Sequence, residues 1–261
     1  MEVILNINNL NYGESLLDIS MYIDKNRITS IAGANNSGKT SLIKIIGRVF
    51  DTTSNIIFDG KSIYDYKLTD YIKFVSVIIP KEITFIENTL EEEMIIEANE
   101  YNEDTKSKID YIISGLKIKR LINKNINQLT SKELILSQLA LSLVNDKKLL
   151  LIDNIDYYFN DNELKKINIF LKNYIKDFGL TVIYTTTNLN QALYSDYLYI
   201  IDKGRVLLKG EPITVLQNDN IINKAGLDVP FMIDLSVKLR DYDLINKIIQ
   251  DKERLVDEIW K

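Results

Sequence analysis

The densest chemistry in this 261-residue chain is one run, Gly33-Ala34-Asn35-Asn36-Ser37-Gly38-Lys39-Thr40. It fits the spacing G-x-x-x-x-G-K-[ST], which folds as a tight loop whose backbone N–H groups surround a phosphate. Gly33 and Gly38 permit the backbone angles such a loop needs. Lys39 is placed to reach the β- and γ-phosphates, and Thr40 to give a hydroxyl to Mg²⁺. Asn35, Asn36, Ser37 and Ser41 complete the loop and the first helical turn, and are assigned to the same ligand. A second chemical group is Asp153, which ends the apolar run Leu149-Leu150-Leu151-Ile152. A buried strand that delivers one carboxylate at its tip supplies the second protein contact to Mg²⁺ beside a phosphate loop. Without that loop, the same run would read as a strand followed by a turn-forming aspartate.

These groups need elements to hold them. Apolar, β-rich residues from Arg27 to Ala32 predict a buried strand ahead of Gly33, and Ser41 to Val49 has the spacing of a helix after it. That is the context the loop requires. Val3 to Leu10 alternates as an edge strand would, with a turn at Asn11-Tyr12-Gly13, and Leu16 to Ile23 follows as a second strand. Further strands are predicted at Asn55 to Phe58, Phe74 to Ile79, Leu149 to Ile152 and Thr181 to Thr185. Tyr197 to Ile201 and Arg205 to Lys209 form a hairpin. Helices are predicted over Leu90 to Asn99, Thr105 to Leu116, Lys132 to Val144 and Asp161 to Phe178. Helices also fill the C-terminal stretch, where Phe231, Leu235, Leu239, Ile245, Ile248, Ile249, Leu255 and Ile259 recur at helical intervals. Short apolar strands alternating with helices indicate an α/β fold with its sheet covered on both faces.

Composition removes whole classes of function. Lys+Arg is 32 against Asp+Glu 37, a net charge of −5, which argues against broad nucleic-acid binding. There is no Cys, so disulfide, thiolate and zinc-thiolate chemistry are excluded, and no His, so every imidazole base is excluded. The N-terminus lacks a basic stretch followed by an apolar core, and no apolar run approaches the roughly 18 residues that span a bilayer. The expectation is a cytoplasmic chain that meets a membrane only through partners.

With these motifs in place, the sequence resembles the ATP-binding-cassette (ABC) ATPases, and more narrowly the ATPase subunits of energy-coupling factor (ECF) transporters of vitamins and metals. The resemblance covers the whole chain. Tyr12 falls where the family has an aromatic that stacks on adenine. Leu129-Thr130-Ser131-Lys132-Glu133 falls at the signature L-S-G-G-Q/E, with Thr130 at the position that meets a γ-phosphate across a dimer. Asp202-Lys203-Gly204-Arg205-Val206 and Lys209-Gly210-Glu211-Pro212 resemble the family's late hairpin. Gly226-Leu227-Asp228-Val229-Pro230-Phe231 is similar to the C-terminal G-L-x-V-P-F of ECF ATPases, and the ending Glu253 to Trp260 also matches. The resemblance implies a P-loop NTPase with a mixed sheet, a helical signature subdomain at about 82–145 inside an ATP-binding domain 1–219, and a C-terminal helical dimerisation region 220–261. It implies ATP and Mg²⁺ as ligands. It implies as partners a second ABC ATPase, a transmembrane coupling subunit and a substrate-binding membrane subunit, with the chain peripheral on the cytoplasmic face of the membrane.

The sequence departs from the family at its hydrolytic positions. Pro80 aligns with the Q-loop glutamine, Asn154 with the general-base glutamate, Thr187 with the switch histidine and Asn160 with the D-loop aspartate. Ser131 and Lys132 replace the signature glycines, and Lys132 is expected to offer its ammonium to the phosphate instead. The nucleotide-holding residues are spared. The combination predicts retained Mg-ATP binding with lost hydrolysis in this chain's own site. The rival readings are a non-hydrolysing regulatory pseudo-ATPase and a soluble ABC protein with no membrane partner. Glu87, Glu91, Glu92, Glu93 and Glu97 read either as an acidic groove for a membrane-subunit helix or as a solvated face with acids favoured at its N-terminus.

Overall fold

The computed structural model describes residues 2–98 and 102–260. The N-terminal third contains β1 (Val3–Tyr12), β2 (Leu16–Asp24), β3 (Ile28–Ala32), α1 (Lys39–Ile46), β4 (Asn55–Phe58), β5 (Lys61–Ser62), α2 (Leu68–Phe74) and β6 (Val75–Ile78). A helical stretch follows, with α3 (Leu90–Glu97), α4 (Glu103–Leu116) and α5 (Ser131–Val144). The chain then returns to the sheet through β7 (Leu149–Asp153), α6 (Asp161–Phe178), β8 (Thr181–Thr186) and α7 (Leu189–Ala192). It ends with β9 (Tyr197–Asp202), β10 (Arg205–Gly210), α8 (Pro212–Leu216), α9 (Asp219–Lys224), α10 (Phe231–Asp241) and α11 (Lys252–Ile259).

Two sheets form. The larger runs β10-β9-β3-β8-β7-β6, parallel except for the β10–β9 hairpin. The smaller is antiparallel, β2-β1-β4-β5. Every residue of β3, β7 and β8 is buried, as expected of parallel strands covered on both faces. Side-chain alternation divides the core in two. Leu149, Leu151, Ile31 and Ile183 face α1 and the smaller sheet, whereas Leu150, Ile152, Val182 and Tyr184 face the helices α3 to α6. The helix starts are set locally. Thr89 with Glu92, Thr130 with Glu133 and Asn160 with Glu163 form capping boxes at the N-termini of α3, α5 and α6.

Several expectations are corrected. β1 is an interior strand between β2 and β4 rather than an edge; its partner β4 arrives from far along the chain, which alternation cannot reveal. Its turn begins at Gly13, since Tyr12 still pairs with Leu16. The phosphate-loop helix starts two residues earlier than the apolar spacing suggests and stops at Ile46, so Val49 lies beyond it. The helix expected through Asn99 ends at Glu97, and Asn99 itself lies outside the described residues. Ile245, Ile248 and Ile249 are not helical but pack from the segment between α10 and α11.

Phe74 belongs to α2, a helix the strand-like apolar run concealed. Tyr71 of α2 is fully buried, and its hydroxyl donates to Ile46 O at 2.7 Å, closing the end of α1. Tyr71→Phe leaves that carbonyl unpaired in the core. It should cost about 1–3 kcal/mol, read as a lower denaturant midpoint with an unchanged slope.

Candidate functional site

β3, β8 and β7 are adjacent, parallel and in register, with Ala32 opposite Thr186 and Asp153 opposite Thr185. Their C-terminal ends therefore deliver three loops to one place. The loop after β3 is the glycine-rich run. A Cβ on Gly33 would sit 2.4 Å from Ile201 O, and one on Gly38 would sit 2.4 Å from Ser15 O, so neither position admits a side chain without displacing backbone. Gly38 has φ +104 and Asn36 φ +64, conformations suited to glycine and tolerated by asparagine.

Ser15, Asn35, Asn36, Ser37, Gly38, Lys39, Thr40, Ser41 and Asn154 line a cleft of about 350 Å³ at this loop. A larger open groove, of about 1020 Å³, runs along Lys247 to Glu258 far along the chain and contains no such loop. Lys39 is buried, and its ammonium donates to Gly33 O at 2.6 Å, Ala34 O at 2.8 Å and Ser37 Oγ at 3.3 Å. Burial pushes its pKa down to about 8, with the carboxylates of Asp153 and Asp156 pulling the other way. Thr40 Oγ1 donates to Asp153 Oδ2 at 2.8 Å, and Thr185 Oγ1 to Asp153 Oδ1 at 2.7 Å. A hydroxyl and a carboxylate so close make a hard, all-oxygen donor pair that fits Mg²⁺ with phosphate oxygens completing the shell. Among the described residues no cluster of three His, Cys, Asp or Glu forms an all-protein metal cage, so Thr40 and Asp153 are the protein groups that would hold such an ion.

Asn154 brings a neutral amide to this cleft. Its backbone has φ +44 and ψ 60, and its N–H donates to Thr185 Oγ1 at 3.0 Å. Its Oδ1 is buried with no hydrogen-bond partner. Thr187 lies in a neighbouring cleft of about 640 Å³ with Ala34, Asn35, Tyr157 and the segment Gly226 to Phe231. Tyr12 is half-buried, with one ring face stacked on Phe50 at 5.7 Å and 13°. Thr130 is not part of either cleft; it caps α5, accepting from Glu133 N. Lys132 is not free as expected: it pairs with Glu163 at the start of α6 and lies 5.6 Å from the centroid of Phe159. Of the five acids read either as an acidic groove or as a solvated helix face, three are engaged within the chain. Glu92 closes the cap of α3, Glu93 accepts from the N–H groups of Ile86 and Glu87, and Glu97 pairs with Lys147 at 3.2 Å.

The sequence reading missed Ser15, Asp156 and Tyr157. Ser15 reaches the cleft only because the β1–β2 turn abuts Gly38. Tyr157 Oη donates to Asn35 Oδ1 at 3.3 Å. Asp156 accepts from Thr187 N at 3.1 Å and from Thr186 Oγ1. The available signal was a carboxylate three residues past Asp153, facing a run of threonines.

The family model described as ABC transporter matches residues 16–156, more than half of the chain. This chain belongs to the ABC transporter ATP-binding family. It is 26% identical over 252 residues to the energy-coupling factor transporter ATP-binding protein EcfA1 of Mesomycoplasma hyopneumoniae (strain 7448), covering 94% of this chain and 91% of that protein. Among solved structures it is similar to cbiO1 of Clostridium perfringens, described as part of the ABC transporter complex cbiONQ. The TM-score is 0.73 at 22% identity, with 90% of this chain and 99% of that one covered. It is also similar to a dimeric ATP-binding cassette bound to ADP and Pi, at TM-score 0.68 and 20% identity over 80% of this chain and 98% of that one. The fold is that of an ABC cassette, as the resemblance implied.

A buried lysine with a pKa of about 8 titrates when its environment changes. Polyphosphate oxygens favour the charged form, so binding should take up protons. Calorimetry in buffers of different ionisation enthalpy should show uptake of about half a proton per Mg-ATP at pH 8 and far less at pH 6.5. Equal uptake at both values would contradict the assignment of Lys39.

Proposed function

We propose that this ABC-family chain is the nucleotide-binding subunit of an ECF-type importer, and that it holds Mg-ATP without hydrolysing it efficiently in its own site. The observation that carries the reading is the composition of the cleft. Lys39, the loop amides and the Thr40–Asp153 pair are all in place, while Asn154 stands beside them.

The roles follow from the side chains. The loop amides and Lys39 bind and orient the polyphosphate. Mg²⁺, when bound, neutralises charge on the phosphate oxygens, and Thr40 and Asp153 hold it. Tyr12 offers its outer face to the adenine. An amide cannot accept a proton from water near neutral pH, so Asn154 forgoes general-base assistance, typically worth ~10²–10⁴-fold. Thr187 has a hydroxyl where an imidazole would donate to the γ-phosphate. The left-handed backbone at Asn154 suits asparagine and strains a longer side chain by about 1–2 kcal/mol, so a single change to glutamate is a poor repair.

Similarity to an energy-coupling factor transporter ATP-binding protein, and to cbiO1 as part of the ABC transporter complex cbiONQ, supports membrane partners. We assign residues 82–145 to a helical subdomain. A groove of about 230 Å³ at its base, lined by Val49, Val77, Ile79, Glu82, Ile83, Thr84 and Gln138, is the docking place for a transmembrane coupling subunit. Residues 220–261 are assigned to dimerisation with a second ABC ATPase. In such a dimer Thr130 would meet the nucleotide on the other subunit, and Lys132 would have to leave Glu163 to join it. No helix among the described residues is long and apolar enough to cross a membrane. Through these partners the chain would sit on the cytoplasmic face, with a substrate-binding membrane subunit completing the importer. The regulatory pseudo-ATPase is favoured over this reading only if the assembled pair also fails to turn over ATP.

The isolated chain should bind Mg-ATP in a fluorescence or calorimetric titration. Lys39→Ala should weaken binding roughly 10- to 150-fold, the loss of a charge-assisted contact of about 1.5–3 kcal/mol. Absence of binding at millimolar ATP would defeat the proposal. Co-expression with a second cassette subunit should give a heterodimer by size measurement, with steady turnover only in the pair; a stable homodimer that ignores the partner would contradict this.

A further inference from the structure

We propose that Asp156 is a positioning residue, the middle rung of a three-aspartate ladder that fixes the Thr185–Asn188 loop in one arrangement with or without nucleotide. The proposal rests on the nucleotide reading of the phosphate loop and deepens it. The rungs are successive. Asp153 Oδ1 accepts from Thr185 Oγ1 at 2.7 Å. Asp156 Oδ2 accepts from Thr186 Oγ1 and from Thr187 N, the latter at 3.1 Å. Asp161 Oδ1 accepts from Asn188 Nδ2 and from Gln191 Nε2, both at 3.1 Å. Each acid from the tip of β7 to the start of α6 thus takes the next residues from the end of β8 into α7.

The middle rung differs from the others because it grips the backbone. Thr186 is fully buried, and its hydroxyl also accepts from Asn188 N at 2.9 Å. Hydrogen bonds to an ionised acceptor are roughly twice as strong as neutral ones. With Thr187 N held by Asp156 and Asn188 N by Thr186 Oγ1, neither of these backbone N–H groups is left free to reorganise around an arriving phosphate. The same short segment also touches the phosphate loop, since Tyr157 Oη donates to Asn35 Oδ1 at 3.3 Å. Asp156 consequently couples the position of the Thr187 loop to the phosphate loop through its own chain, at a place where a mobile sensor would need freedom.

Amide hydrogen exchange on the full chain tests this. In the unmodified protein the Thr187 amide should exchange slowly without nucleotide, and Mg-ATP should change its rate less than about twofold. Asp156→Asn offers the loop a neutral, partly donating group of equal size. It should speed that exchange by about tenfold or more, and Mg-ATP should then slow it again. Thr186→Val, which removes the hydroxyl rung and preserves the side chain's shape, should act in the same direction and serves if Asp156→Asn does not fold. Fast exchange in the unmodified chain that becomes protected by Mg-ATP would overturn the proposal, as would unchanged Thr187 exchange in both variants. The nucleotide-free measurements decide the ladder by themselves. A chain that shows the slow loop but binds no ATP by calorimetry would defeat the nucleotide reading instead.

Discussion

The hydrogen bond from Thr40 to Asp153, at 2.8 Å, joins two residues 113 positions apart, and the rest of the site is arranged around it. Thr40 stands in the first turn of a helix that can begin only because the loop before it closes tightly on Gly33 and Gly38. Asp153 stands at the tip of a strand whose other residues are all buried. The two meet because β3 and β7 flank β8 in parallel register, so their C-terminal ends lie at the same level. Parallel sheets put ligand sites at those ends, and burial on both faces leaves the strands no freedom to slip.

That constraint also explains what was legible in the sequence. The phosphate loop, Asp153 and the buried strands at Thr181 and Leu149 are local patterns, since each carries its own residue types and spacing. Asn55 to Phe58 and Asp161 to Phe178 were bounded correctly for the same reason. Contacts set by distant pairing were not legible. β1 looked like an edge because its neighbour β4 lies some fifty residues away. Ser15 enters the cleft, and Lys132 meets Glu163, only through the assembled fold. Asp156 was overlooked because its partners are a hydroxyl and a backbone amide on another strand end, and backbone partners leave no mark in a sequence.

The chemistry we propose for the cleft is one of holding. Lys39 is buried among its own loop carbonyls, so it is oriented before any ligand arrives. Asp153 spends one oxygen on Thr40 and the other on Thr185, which fixes the carboxylate plane. Asn154 lines the same cleft with a neutral amide, and its backbone adopts a conformation that asparagine tolerates well. The phosphate-loop lysine and the strand-tip carboxylate are both held by hydrogen bonds, and the chain has no histidine to serve as a base.

The central claim is that a triphosphate bound at Gly33–Thr40 stays intact. It is tested most directly by a single-turnover experiment, with excess chain over γ-labelled ATP and Mg²⁺, acid quench and separation of the products. The label should remain in ATP over many minutes while filter binding shows the nucleotide to be bound. Rapid release of labelled phosphate by the purified chain, abolished by Lys39→Ala, would contradict it.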